Sequence, residues 1–149
     1  MTSRNLSTQL RALVVDDNMI NRKIHQKMLN GLGVECMGVA NGKEAVDVHC
    51  YGQSFDLILM DKDMPIMNGI EATKKLRSVG ICSMIVGVSS RSMEVEIREF
   101  MEAGLNDYHE KPLTTAKLAS IIHHIINTKV FYSYNDHFIF GKFLNDPFI

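Results

Sequence analysis

The sequence predicts an α/β fold, a doubly wound parallel sheet of five strands with helices on both faces. Short apolar runs alternate along the chain with stretches of helical period, the signature of repeated βα units and not of an all-β or all-α fold. Polar side chains also stand where four of those runs end: Asp16 and Asp17 after Leu13-Val14-Val15, Asp61 after Leu57-Ile58-Leu59-Met60, Ser89 after Ile85-Val86-Gly87-Val88, and Lys111 after a stretch ending at His109. In a parallel sheet the C-terminal strand ends share one edge, so these distant residues are expected to converge.

The first strand is expected over Ala12–Val15, followed by a helix capped by Asn18, with Ile20, Ile24 and Met28 on its inner face and Gly31 and Gly33 ending it. The second strand spans Val34–Val39, and Asn41 with Glu44 then approximates a capping box for a helix that ends near Tyr51-Gly52. Strand three runs Asp56–Met60, a loop passes through Met64-Pro65, and the third helix extends from about Asn68 to Val79, closed by Gly80. Unit four joins a strand at Met84–Val88 to a helix opened by Ser92, which turns Met93, Ile97, Phe100 and Met101 inward and precedes Gly104. The fifth strand lies within Leu105–His109, polar enough for an edge, and Lys111-Pro112 ends it. The last helix follows the i, i+3, i+4 pattern most closely, through Leu118, Ile121, Ile122, Ile125 and Ile126.

At 149 residues the chain has the length of one domain, with a core large enough to need neither disulfides nor metal. It divides into an N-terminal extension (residues 1–10), the α/β domain (11–127) and a tail (128–149) that holds seven of the eleven aromatic residues. The tail is expected to be a poorly ordered extension, with a hairpin of Val130–Tyr134 and His137–Phe140 about Asn135-Asp136 as the alternative. Sixteen basic and 17 acidic residues nearly cancel, which argues against nucleic acid or an anionic membrane as partner. No apolar run approaches the roughly 18 residues of a membrane span, and Met1–Leu10 lacks a signal-peptide core, so a soluble, intracellular protein is expected. Cys36, Cys50 and Cys82 read as free, mostly buried thiols, and the ten methionines as core filling. His123-His124 lacks a ligand partner at metal spacing and is expected at or near the surface.

Three carboxylates at neighbouring strand ends repel one another unless a cation neutralises them or one keeps its proton. Asp16, Asp17 and Asp61 are therefore candidate ligands of a hard divalent cation. Magnesium suits an open site, since it keeps several waters and binds through one or two carboxylates plus a phosphate. Such a metal lets a phosphoryl donor approach Asp61, which then acts as a nucleophile on phosphorus and becomes an aspartyl phosphate. Ser89 offers a hydrogen bond to one phosphoryl oxygen and Lys111 a point charge to another. In the unmodified chain Lys111 is expected to pair with Asp61. Modification then draws Ser89 inward and vacates space for Tyr108, a candidate switch on the face made by the fourth helix, fifth strand and fifth helix. Taken singly, an Asp pair is a turn and cap and Tyr108 an amphipathic edge residue; the joint pattern carries the chemistry.

Together, Asp16-Asp17, Asp61-x-x-Met64-Pro65-x-x-Asn68-Gly69, Ser89 and Lys111-Pro112 resemble the receiver domain of two-component response regulators, over about residues 11–127. The resemblance implies a flavodoxin-like sheet of strand order 2-1-3-4-5 and Asp61 as the phosphoacceptor. It makes Asp17 a direct magnesium ligand and Asp16 one that acts largely through water. The Asp63 backbone carbonyl completes the set, and the Lys111-Pro112 bond is expected to be cis.

The wording from Asp56 to Pro65 and the lack of an output domain resemble the short plant type-C regulators, receivers that stand alone and are linked to cytokinin signalling. That likeness implies a phosphoryl group taken from a histidine-containing phosphotransfer protein, and a role as phosphate sink or modulator of the relay. Some members also act as phosphatases toward that partner. The chain is then a monomeric phosphoprotein of the cytoplasm or nucleus and not an enzyme beyond its self-phosphorylation and self-dephosphorylation. By the same analogy Ile20, Asn21 and Ile24 are docking positions. Ser90 departs from the family's Ala or Gly, and Asp63 and Arg91 occupy positions that tune hydrolysis. Two rival readings stand beside this one. A haloacid-dehalogenase-like phosphatase is suggested by Asp61-Lys62-Asp63, although there the nucleophile follows the first strand. The other is a degenerate receiver serving only as an interaction module. A nucleotide or flavin site lacks its glycine-rich loop.

Overall fold

The computed structural model describes residues 9–90 and 92–144, with side-chain surroundings through residue 129. Strands and helices alternate throughout: β1 (Arg11–Val15), α1 (Met19–Gly31), β2 (Glu35–Val39), α2 (Gly42–Cys50), β3 (Leu57–Asp61), α3 (Gly69–Ser78), β4 (Met84–Ser89), α4 (Glu94–Glu102), β5 (Asp107–Glu110) and α5 (Thr115–Leu144). All strand pairs are parallel, in the order β2-β1-β3-β4-β5. This is the flavodoxin-like order the sequence implied.

Because successive strand residues face opposite sides, the apolar strands divide between two cores. Ala12, Val14, Leu57, Leu59, Val86 and Val88 join Leu29 and the α5 residues Leu118, Ile121, Ile122 and Ile125 on one face. Leu13, Val15, Ile58, Met60 and Ile85 pack on the other against Ala45, Ala72, Leu76 and Phe100 of α2, α3 and α4. Central strands buried on both sides have no polar alternation, which is why the runs read as continuously apolar.

Helix starts follow their caps. The side chains of Asn18, Asn41 and Asn68 accept hydrogen bonds from the backbone N–H groups of Asn21, Glu44 and Glu71 at 3.0, 2.9 and 2.9 Å. Glu44 reaches back past the cap and accepts from Ala40 N at 2.7 Å, a variant of the capping box.

The structure corrects four expectations. In α1 the buried residues are His25 and Leu29, while Ile20 is 67 % exposed and Ile24 46 %. The inward stripe follows 25, 28, 29 and 32, a better helical period than 20, 24 and 28, but one that hides a histidine. In α4 only Phe100 is buried; Met93 is the exposed N-cap and Met101 also faces outward, so the helix lies on the sheet by a narrower edge than its apolar pattern suggests. The thiols are free, yet Cys50 and Cys82 are exposed and Cys36 half-buried. Finally, in place of the alternative hairpin, helical backbone continues to Leu144, in α5. Pro112 and Pro147 are the nearest prolines on either side, and extending an existing helix costs far less than nucleating a new element. Residues 145–149 lie outside the described residues. No described helix is long and apolar enough to cross a membrane.

The helix that follows the candidate phosphoacceptor is seated directly on it. Gly69 N donates to Lys62 O at 2.9 Å, and a Cβ at Gly69 would lie 2.1 Å from Asp61 O. Gly69→Ala is expected to lower unfolding stability by about 3 kcal/mol, since backbone must move to admit the methyl group. A urea denaturation curve checks it; an unchanged midpoint would mean α3 is not so tightly seated.

Candidate functional site

Parallel register sets the site. Asp61 ends β3 opposite Val88, and Ser89 ends β4 opposite Glu110, so Asp61, Ser89 and Lys111 leave neighbouring strands at nearly one level. Lys111 N donates to Ser89 O at 2.8 Å, which extends the ladder by one rung, and the Lys111-Pro112 bond is cis. Asp16 and Asp17 follow β1, next to β3.

The structure brings together Asp16, Asp17, Asp61 and Lys111. Carboxylate oxygens of the three aspartates all lie within 4.8 Å of one another, with Asp16 and Asp61 buried and Asp17 exposed. Lys111 Nζ lies 3.0 Å from Asp16 Oδ2 and 3.2 Å from Asp61 Oδ1. The expected pair with Asp61 is thus shared with Asp16. The other Asp16 oxygen accepts from Asn18 N at 2.9 Å and so shapes the turn into α1. Asp63 stands apart, with its exposed carboxylate held by Lys62 at 3.1 Å.

Burial and neighbouring charges work against one another here. Burial pushes the Asp61 carboxyl up to about 6 from an ordinary 3.8; Lys111 opposes the rise, and Asp16 and Asp17 add to it. Burial pulls Lys111 down, but its bond to Asp16 and the charges of Asp61 and Asp16 outweigh that, so the net shift is upward. A pocket of hard oxygen donors that already requires an ammonium between them suits a divalent cation such as magnesium. Asp16, Asp17 and Asp61 are the side chains placed to hold it.

A second cluster is built of hydroxyls. Ser89 is fully buried, and its Oγ lies 2.7 Å from Tyr108 OH and 2.5 Å from Ser92 Oγ. Gly87 leaves the surface of β4 to Leu105 and Phe100, and the Phe100 ring meets the Tyr108 ring edge-on at 6.4 Å.

Three residues near the site escaped sequence reasoning. Ser92, expected to open α4, instead turns its hydroxyl to Ser89 and leaves the N-cap to Met93, which makes no capping bond. Lys62 is buried, bonded to Asp63 at 3.1 Å and to Glu96 of α4 at 3.0 Å. Its position directly after an aspartate gave no sign of burial. His25 is buried beside Asp16 and Lys111, and burial lowers its pKa. Only the competing stripe along α1 could have found it. In the loop after β3, Ile66 holds a left-handed backbone, φ 71°, and is 76 % exposed.

A raised folded pKa fixes the sign of the pH dependence. The Asp61 contribution to stability is full below about pH 3.8, where folded and unfolded chains both hold the proton, and is lost as pH rises through about 6. At pH 7.5 without divalent cations, Asp61→Asn is expected to be more stable than the native chain by about 1–3 kcal/mol. The gap should close toward pH 4 or with millimolar magnesium, as read by chemical denaturation. A gap independent of both would refute this assignment of charge.

The family model described as the response regulator receiver domain matches residues 12–123. Two-component response regulator 24 of Arabidopsis thaliana is 64 % identical over 116 residues, covering 78 % of this chain and 84 % of the relative. Two-component response regulator ARR22 of the same plant is 48 % identical over 120 residues, covering 79 % and 84 %. Among solved structures, the receiver domain of sensor histidine kinase PA1611 from Pseudomonas aeruginosa PAO1, with a magnesium ion coordinated in its active site cleft, is 30 % identical with a TM-score of 0.73. That match covers 80 % of this chain and 98 % of that one. With its acidic pocket, strand order and matched length in agreement, the chain belongs to the response regulator receiver domain family.

Proposed function

We propose that this chain is a phosphorelay receiver acting on its own. Asp61 takes a phosphoryl group, with magnesium, from the phosphohistidine of a histidine-containing phosphotransfer protein and later loses it to water. The observation that carries this reading is the pocket in which buried Asp61 meets two further carboxylates and the Lys111 ammonium.

An Asp61 carboxylate oxygen attacks phosphorus, the P–N bond of the donor breaks, and the electron pair returns to the imidazole nitrogen. Lys111 then pairs with one phosphoryl oxygen and Ser89 donates to another. Asp17, Asp61 and the Asp63 carbonyl, with Asp16 acting largely through water, would hold magnesium, which would supply positive charge to offset the clustered anions. Hydrolysis is the converse: water attacks phosphorus, the bond to Asp61 breaks, and inorganic phosphate leaves. Tyr108, whose hydroxyl meets Ser89, is the candidate reporter of that change.

Met19, Ile20 and Ile24 of α1 and Ile66 of the β3–α3 loop are exposed apolar side chains on the segments that follow β1 and β3, and we assign them as an apolar border to the pocket. Between α1 and the Lys111–Leu113 turn lies a groove of about 370 Å³, lined in part by Ile24, His25, Met28 and Ser90. This border fits the helical surface of a phosphotransfer partner. The names of the Arabidopsis relatives support a two-component pathway; the type-C resemblance adds a cytokinin-linked phosphate sink or modulator, monomeric, in the cytoplasm or nucleus. Its chemistry is that of a phosphoacceptor, with phosphatase action toward the partner as an extension of the same site.

Incubation with a labelled phosphotransfer protein tests the reading. The native chain is expected to acquire acid-labile label with magnesium and none in a chelator, and Asp61→Asn to acquire none; equal label on both would overturn it. Ile20→Glu is expected to slow transfer from the protein donor tenfold or more, about the worth of one desolvated aliphatic contact, and to leave uptake from a small-molecule phosphoramidate unchanged. Equal slowing with both donors would place Ile20 outside the docking surface.

A further inference from the structure

Ser89 presents a hydrogen-bonding puzzle that its neighbours resolve. Its hydroxyl carries one proton and two lone pairs, and the residue is fully buried between Ser92 Oγ at 2.5 Å and Tyr108 OH at 2.7 Å. Those three oxygens share three protons. When Ser92 and Tyr108 both donate, both lone pairs of Ser89 are filled and its own proton has no partner within the chain of hydroxyls. That proton is then free for an incoming acceptor, at no loss to the network. Were Ser92 an apolar residue, one lone pair would be left unfilled at the moment Ser89 turned its proton outward, and a buried polar group would lose a partner.

We infer that Ser92 is a positioning residue: its hydroxyl donates to Ser89 and, together with Tyr108, directs the Ser89 proton to an oxygen of the phosphoryl group on Asp61. This rests on the phosphoacceptor reading of Asp61. Two further features of the surroundings fit Ser92 to the task. Serine is a favoured N-cap residue, yet Ser92 leaves that position to Met93, which makes no side-chain capping bond. One turn on, Glu96 of α4 is bonded to buried Lys62 at 3.0 Å. Lys62 is itself fixed by its N–H to Val88 O at 3.0 Å and its carbonyl to Gly69 N at 2.9 Å. The start of α4, two residues after Ser92, is therefore fastened to the loop that follows Asp61. The chemistry at Asp61 needs no proton from Ser92; the contribution is a hydrogen bond strengthened through its neighbour.

The test measures the rate of phosphoryl uptake by the full chain from labelled phosphoramidate with magnesium, in a double-mutant cycle. Ser92→Ala is expected to slow uptake about three- to tenfold, the worth of one hydroxyl hydrogen bond. Ser92→Thr, which keeps the hydroxyl, is expected to restore most of the rate. In the Ser89→Ala background the Ser92→Ala change is expected to have no further effect, a result that a merely structural role at the start of α4 does not produce. Native rates in Ser92→Ala, failure of Ser92→Thr to restore them, or an undiminished loss in the Ser89→Ala background would each overturn the inference. Absence of label on the native chain, as on Asp61→Asn, would instead overturn the phosphoacceptor reading beneath it.

Discussion

Two buried carboxylates can share the edge of a sheet as anions only if a positive charge lies between them, and Lys111 supplies it. Its ammonium bridges Asp16 and Asp61, and its backbone N–H is tied to the end of β4. Three strands are thereby linked through one residue: β1 by the Asp16 carboxylate, β3 by Asp61 and β4 by the Ser89 carbonyl. The same charge that holds the pocket closed is well placed to meet an arriving anion. A point charge on a flexible stem can move between partners in a way that a bidentate guanidinium cannot.

The hydroxyl cluster adjoins the acidic cluster along the same edge of the sheet. Ser89 belongs to both settings, at the level of Asp61 in the sheet and in contact with Tyr108 and Ser92. Tyr108 opens on β5 and Phe100, and Ser92 on α4. A displacement of one buried oxygen therefore reaches an edge strand and a helix at once. α4 is a suitable receiver of such a signal because little anchors it: Phe100 is its one buried residue, and the Lys62–Glu96 bond holds its first turn.

Much of this was legible in the sequence because it depends on local chemistry. Asparagine caps announced α1 and α2, and the apolar runs announced the central strands. Asp16, Asp17, Asp61 and Lys111 could be grouped because each follows a strand, and parallel strands bring those ends together. What escaped depends on tertiary neighbours. Either of two stripes on α1 could have been buried, and the one that carries His25 is. Lys62 reads as a surface charge until Glu96 is placed across from it. Ser92 reads as a helix cap until Ser89 is seen to claim its hydroxyl. The aromatic tail favours strands by composition, but it follows a helix already formed, and backbone continuity decides in favour of α5.

The left-handed turn at Ile66 has its own implication. A β-branched residue at φ 71° carries a conformational penalty of about 1–3 kcal/mol that glycine would relieve and asparagine would lessen. Yet the same residue presents one of the most prominent apolar side chains beside the acceptor. Relaxing the loop in either way removes that side chain. On the docking surface proposed above, thermal robustness and recognition are set against each other at a single position, and a more durable version of this domain would be expected to be a poorer listener.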